Sequence, residues 1–159
     1  MKIPPFEPTK YDEQKWQFEI EQKKKREEEQ KNELEKYIYE SKSVPDLTER
    51  ETRELLRDAR KGNPVAKKKV FQAYKKYILK YRRGFLFRLS RDPKSVTTTL
   101  EFIMAGEKGL QRSIDKFEDD KITYSFREYA TWWIGLALFR KMDTELEEKA
   151  IEPHEPYRY

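Results

Sequence analysis

The stretch LTERETRELLRDARKGNPVAKKKVFQAYKKYILKYRRGF, beginning at Leu47, is punctuated as two consecutive helices would be. Thr48 stands three residues before Glu51, the spacing of a capping box in which hydroxyl and carboxylate satisfy backbone donors that a helix start leaves unpaired. The run then meets KGNP. Gly62 can adopt the left-handed conformation that ends a helix, and Pro64 suits the first turn of the next. Beyond it Val70, Ala73, Tyr74, Tyr77, Ile78 and Tyr81 recur at spacings of three and four, giving one apolar face beside a lysine-rich one. After a loop, RDPKSVTTT, the same periodicity resumes over Leu100–Phe117 through Phe102, Ile103, Leu110, Ile114 and Phe117. EDDKITYS interrupts it, and a last helix is expected from near Ser125 to about Lys149. No segment alternates as a strand does, so the expected fold class is all-α, a compact multi-helix domain.

The beginning of the chain reads differently. MKIPPFEP, with three prolines, is an irregular leader. From Thr9 to Glu40 there is no Gly or Pro, and Glu, Lys and Gln dominate, which predicts one long helix. Its apolar residues lie at the two ends, Trp16, Phe18 and Ile20 and then Leu34, Tyr37 and Ile38. EQKKKREEEQKNE between them has none. Such a middle buries no face of its own; it crosses solvent as a charged helix or frays until a partner holds it. The expected organisation is residues 1–46 as leader and charged helix, 47–145 as the helical domain, and 146–159 as a tail.

Charge narrows the class of partner. From Arg60 to Arg91 there are twelve basic residues and no acidic one, whereas residues 1–46 carry ten basic and twelve acidic. Positive potential in the middle of the chain suits a polyanion, because each Lys or Arg set against a phosphate releases condensed counterions. Charged residues make up 41% of the chain and mean hydropathy is -1.11, yet aromatics reach 14%, more than a disordered polar chain carries. A charged shell around an aromatic-rich core follows. There is no signal-like apolar run and no stretch of eighteen apolar residues, which argues against secretion and membrane spanning, so an intracellular, cytoplasmic protein is expected.

Enzymatic chemistry finds no support. The chain has no cysteine, which excludes a thiolate nucleophile, and its one histidine, His154, lies between prolines in the tail. Asp115, Glu118, Asp119 and Asp120 do not have the spacing of a calcium loop and read as a solvated turn. Neither a P-loop nor a dinucleotide fingerprint is present. No cofactor or metal is expected.

What remains is YSFREYATWWIGLALFR, Tyr124 to Arg140, with six aromatic rings in seventeen residues. On a helical wheel Phe126, Ala130, Trp133, Ile134 and Ala137 make a sufficient buried face. Tyr129, Trp132, Leu136 and Phe139 extend it sideways and end beside Arg140 and Lys141. Wide exposed apolar patches mark interaction sites. Flat rings beside cations suit unstacked nucleobases, which stack on aromatics for about 1–3 kcal/mol per base.

SIDKFEDDKITYSFREYATWWI resembles region two of bacterial RNA polymerase sigma factors, and its most specific element is Tyr129 to Ile134. LTERETRELLRDARKGNPVAKKKVFQAY is similar to the family's preceding helices, and FIMAGEKGLQRSIDKFE occupies the place of the polymerase-binding helix. The resemblance covers roughly Asp46 to Lys141. It implies a domain that docks on the clamp coiled coil of core RNA polymerase, recognises the promoter minus-ten element and traps its non-template strand. Carried over by position, Phe126 and Tyr129 would line a slot for a flipped base, and Trp132 and Trp133 would form a wedge at the upstream fork. Arg82, Arg83, Arg140 and Lys141 would hold phosphates, and Glu101, Phe102, Met104, Ala105, Glu107 and Lys108 would face the polymerase.

The departures are specific. Gly135, Leu136 and Phe139 stand where the family presents polar or cationic residues to the upstream duplex, and none of them reads a base edge by hydrogen bonding. Met104, Ala105, Glu107 and Lys108 replace residues that are mostly polar or acidic in the family. The chain leaves no room for the family's helix-turn-helix module, so upstream recognition, or contact with residues 9–40, is expected of a second protein subunit. Three readings stand at this point. One is a divergent, truncated, split or phage-encoded sigma factor; another is a sigma-derived adaptor that binds polymerase or a transcription factor without melting DNA. The third is a helical protein whose likeness is packing alone.

Overall fold

The computed structural model describes residues 2–88 and 96–149, with side chains within 2–81 and 99–144. The side chains of Arg82 and Arg83, His154, residues 89–95 of the expected loop and the tail from 150 lie outside the described residues. Within them the chain forms five helices and no strand: α1 (Lys10–Ser43), α2 (Glu49–Arg60), α3 (Pro64–Arg88), α4 (Val96–Lys116) and α5 (Phe126–Lys149).

The helix ends follow local chemistry. Thr48 Oγ1 accepts the Glu51 N–H at 3.1 Å while Glu51 Oε2 accepts the Thr48 N–H at 3.0 Å, closing the expected capping box. Thr9 and Asp12 form a second box at the start of α1, with the Thr9 N–H donating to Asp12 Oδ2 at 2.9 Å. These bonds, the side-chain bond from the Thr9 hydroxyl first, hold the Asp12 carboxyl below its usual pKa. Gly62 takes φ 96 and lets the chain turn out of α2, Pro64 opens α3, and Asn63 Oδ1 accepts the Val65 N–H at 3.0 Å. α4 begins earlier than its apolar periodicity predicts, at Val96 rather than Leu100, and buries Thr99.

The core gathers Leu56 of α2, Val70, Tyr74 and Ile78 of α3, Phe102, Leu110 and Ile114 of α4, and Phe126, Ile134, Leu138 and Met142 of α5. Each fully buried side chain of this kind contributes about 1.5–3 kcal/mol relative to exposure. α4 and α5 lie close because of glycine: a Cβ on Gly109 would stand 2.6 Å from the Trp133 carbonyl oxygen and 2.8 Å from the Ala137 Cβ. On the α3 side a Cβ on Gly106 would meet Ile78 Cγ2 at 2.5 Å. Thr52 Oγ1 and the Tyr74 hydroxyl share a buried hydrogen bond of 2.9 Å that ties α2 to α3.

Among the described residues, α1 is anchored only by its last turns. Leu34, Tyr37 and Val44 pack on the core, and the Lys75 ammonium lies 4.3 Å from the Tyr37 ring centroid. Lys76 pairs with Asp46, and that hydrogen bond holds the Asp46 carboxyl below its usual pKa. The rest of the helix runs clear of the domain, its residues 13–29 exposed.

Candidate nucleic-acid interface

The entry to α5 is built by α2. Arg53, half-buried, donates from Nη1 to the Asp119 carbonyl at 3.1 Å and to Asp119 Oδ1 at 2.6 Å. From Nη2 it donates to the carbonyls of Ile122 at 3.3 Å and Tyr124 at 2.9 Å, and from Nε to Glu49 Oε1 at 2.9 Å. Glu49 Oε1 in turn accepts the Phe126 N–H at 3.0 Å, so one guanidinium and one carboxylate fix the whole 119–126 turn. Arg57 Nε adds a bond to Asp119 Oδ2 at 2.6 Å. Hydrogen bonds from Arg53 and then Arg57 hold the Asp119 carboxyl below its usual pKa, and the bond to Asp119 raises that of Arg53. The turn is therefore ion-paired rather than merely solvated: Asp115 pairs with Lys67 at 2.6 Å and Glu118 with Lys121 at 2.9 Å.

From this fixed turn a ladder of rings climbs out of the core. Phe126 stands edge-on to Tyr74 (centroids 4.9 Å) and to Phe117 (5.2 Å), and Phe117 contacts Tyr129 at 5.3 Å. Tyr129 meets Tyr124 at 6.3 Å and Trp133 at 6.2 Å, and Trp133 meets Trp132 edge-on at 5.1 Å. Exposure rises in the same order. Phe126 is 0% exposed and Phe117 4%, Tyr129 and Trp133 are half-buried, and Tyr124 reaches 49% and Trp132 60%. Each outer ring is thus braced from below by another. The Lys116 ammonium lies 5.7 Å from the Trp133 ring centroid, a cation beside the stacking surface. Trp133 Nε1 is enclosed and has no acceptor among the described residues.

The candidate residues divide accordingly. Tyr129, Trp132 and Trp133 come together at the surface, whereas Phe126, expected to line the slot with Tyr129, is fully buried in the core beneath them. Its burial follows from the α5 core stripe, which runs through Phe126, Ala130, Ile134, Leu138 and Met142 at four-residue steps rather than through Trp133 and Ala137. Tyr124, Phe117 and Lys116 belong to the ladder and were not among the candidates. Lys116 and Phe117 sit at the end of α4, and only their fold across the turn places them under Tyr129 and Trp133. Phe139 packs against the core cluster, so the extended apolar edge is carried by Leu136.

On α4, Glu101, Met104 and Lys108 are exposed, Ala105 and Glu107 half-buried, and Phe102 fully buried. Phe102, expected among the polymerase-facing residues, packs in the core instead of at the surface of α4. Between α4 and α5 runs a groove of about 340 Å³ with a floor of Met104, Ala105, Trp133, Leu136 and Ala137 and a rim that includes Lys108, Arg112, Arg140 and Lys141. It joins the polymerase-facing candidates to the aromatic ladder. The acid-free run in the middle of the chain is less free than its composition implies, because Lys67, Lys75 and Lys76 are engaged by Asp115, Tyr37 and Asp46.

No family model matches the chain. It is 29% identical over 118 residues, 74% of its length, to the RNA polymerase sigma factor RpoS of Coxiella burnetii. Over 123 residues it is 29% identical to the RNA polymerase sigma factor SigA of Clostridium acetobutylicum and 28% to SigA of a Bacillus species, again with 74% of this chain covered. The chain spans about a third of the length of these curated relatives, 31%, 29% and 29% respectively. The helical domain is, at this distance, sigma-factor-like.

Proposed function

We propose that this chain acts in transcription initiation as a sigma-like protein: it docks on core RNA polymerase through α4 and captures unpaired bases of the promoter minus-ten element on the α5 ladder. The observation that carries the reading is the graded exposure from Phe126 to Trp132, because it leaves Tyr124, Tyr129 and Trp132 open while each rests on a more enclosed ring: Tyr129 on buried Phe117, Tyr124 on half-buried Tyr129, and Trp132 on half-buried Trp133. Preorganised rings lose little conformational freedom when a base stacks on them. Each stacked base contributes about 1–3 kcal/mol, which offsets an unstacking cost of a few kcal/mol per flipped base. Tyr129 is the platform for the flipped base. Trp132 and Trp133 form the wedge, and the partnerless indole N–H of Trp133 means that moving this ring breaks no hydrogen bond among the described residues. Lys116, Arg112, Arg140 and Lys141 hold phosphates and set the register.

Leu136 at the upstream edge donates and accepts nothing, so sequence preference resides in the flipped bases and not in the duplex beside them. The groove favours a protein partner alongside: Met104, Ala105 and Leu136 form an apolar floor for a docked helix of the polymerase clamp. A core-polymerase pull-down followed by titration with single-stranded and duplex minus-ten oligonucleotides across salt concentrations tests both parts. The reading requires retention on polymerase and tighter binding of the single strand, with a salt slope set by a few phosphates. Salt-insensitive polymerase binding with no preference for the single strand would instead favour an adaptor that does not melt DNA.

A further inference from the structure

On its α3 side the ladder borders an open cleft that the proposed function leaves unused apart from Trp132. The cleft, of about 620 Å³, is lined by Tyr81 of α3 and by Ser125, Arg127, Glu128, Thr131 and Trp132 at the start of α5. Trp132 supplies an aromatic wall braced edge-on by Trp133. Cations stand around it: the Arg127 guanidinium lies 4.9 Å from the Tyr77 ring centroid, and the Lys80 ammonium 5.8 Å from that of Tyr81. A ring to stack on, beside cations for phosphates, suits a nucleotide. Glu128 does not fit a purely electrostatic grip, because it sets a carboxylate one helical turn from Trp132 on the same face. The hydroxyls beside it are engaged by the helix: Ser125 Oγ accepts the Glu128 N–H at 3.2 Å, and Thr131 Oγ1 donates to the Arg127 carbonyl at 2.7 Å. The Glu128 carboxylate is exposed, with no hydrogen bond or ion pair among the described residues. Glu49, Asp115, Glu118 and Asp119, around the turn that leads into α5, are all ion-paired. A bare carboxylate repels phosphates, so beside a stacking ring it favours binding only where the base brings it N–H donors.

The chemistry of the donors selects the base. An ionised carboxylate only accepts, and its two oxygens take two parallel N–H bonds. Guanine alone among the DNA bases sets two donors side by side on its Watson–Crick edge, N1–H and the N2 amine. Adenine and cytosine place a ring-nitrogen lone pair beside their amine, and thymine places its one N–H between two carbonyls. Each of these turns a lone pair toward the second carboxylate oxygen. We propose that the cleft takes an unpaired guanine stacked on Trp132, with Glu128 accepting from N1–H and the N2 amine; this rests on the reading of α5 as a single-strand surface. Only a base out of its duplex offers that edge, so the contact is confined to opened DNA.

Fluorescence anisotropy on the full chain in complex with core polymerase, with core polymerase alone as the blank, tests this. The probes are short oligothymidylates carrying a single central guanine, hypoxanthine, adenine or cytosine, so that a uniform strand can slide until its one test base meets the cleft. Guanine is expected to bind about tenfold more tightly than hypoxanthine, which keeps the N1–H and the fused rings but lacks the N2 amine. Adenine, also a purine, should bind no better than hypoxanthine, which separates edge recognition from stacking. Glu128→Gln keeps the shape of an exposed side chain and removes one of the two acceptors. It should bring guanine and hypoxanthine to within about twofold of each other, while tightening every strand alike through loss of a repelling charge. Equal binding of guanine and hypoxanthine by the parent, or a guanine preference unchanged in Glu128→Gln, overturns the guanine site and leaves single-strand capture standing. Binding of no strand above the blank overturns that capture and the guanine site with it.

Discussion

Two regions of this protein expose aromatic rings, and they are built in opposite ways. At the start of the chain Phe6, Tyr11, Trp16 and Phe18 project from a leader and a helix with no domain beneath them. At the α4–α5 turn, Tyr124, Tyr129 and Trp132 are the outer members of a ladder whose inner members are core residues and whose backbone is held by Arg53. Exposure alone does not distinguish the two. Support does: a ring braced from below presents one face at a fixed place, as base capture requires, whereas a ring on a solvated helix gains order only when a partner arrives.

The largest effect expected from this contrast is on stability. Phe126→Ala removes the fully buried ring on which the ladder rests and should cost about 3–5 kcal/mol, while Trp16→Ala should stay within about 0.5 kcal/mol. Denaturant unfolding of both measures it, and similar losses would erase the distinction. Arg53→Ala should cost about 2 kcal/mol, from several charge-assisted hydrogen bonds lost together, and should loosen amide protection over 119–126. A pair of glycines sharpens the packing side. Gly109→Ala places a methyl 2.6 Å from a backbone oxygen and should lower the melting temperature despite alanine's better helix propensity. Gly135, whose added Cβ would meet nothing within 4 Å, should tolerate alanine with a gain of up to about 1 kcal/mol.

Acid gives a smaller and more local effect. The Asp119 carboxyl is held below its usual value by Arg53 and Arg57, so its folded pKa lies under its unfolded one. The stability it contributes is fully present above the unfolded value, about 3.9, and is lost as pH falls through the folded one. Asp119→Asn should therefore flatten the acid limb of the stability profile below about pH 4 while lowering the neutral plateau. An unchanged acid limb would mean that the pair with Arg53 is not populated in solution.

Much of the fold is legible in the sequence because helix ends are local. Thr48 with Glu51, Gly62 and Pro64 each sit within a few residues of the groups they satisfy, and all three behave as their chemistry dictates. The start of α4 does not, because Thr97, Thr98 and Thr99 have weak helix propensity and Thr99 is drawn in by tertiary burial. The candidate site divides along the same line. The ring count and the Tyr129–Ile134 motif identify the helix, and the wheel separates buried Phe126 from exposed Trp132, but it does not show that Phe117 and Lys116 of the α4 end support the outer rings. The partners that fix the site are remote in sequence: Arg53 reaches Asp119, and Lys67 reaches Asp115. No window short enough to show periodicity contains both members of either pair.

The central claim is that braced rings on α5 hold unpaired bases, and permanganate reactivity of promoter thymines in complex with core polymerase tests it most directly. Trp132→Ala should change stability by no more than about 0.5 kcal/mol, whereas Tyr129→Ala removes a half-buried ring that packs on Phe117 and should cost more while leaving the fully buried side chains in place. Both should bind polymerase as the parent does and lose the reactivity that marks open minus-ten DNA. Thymines that remain reactive with both substitutions combined would contradict the account.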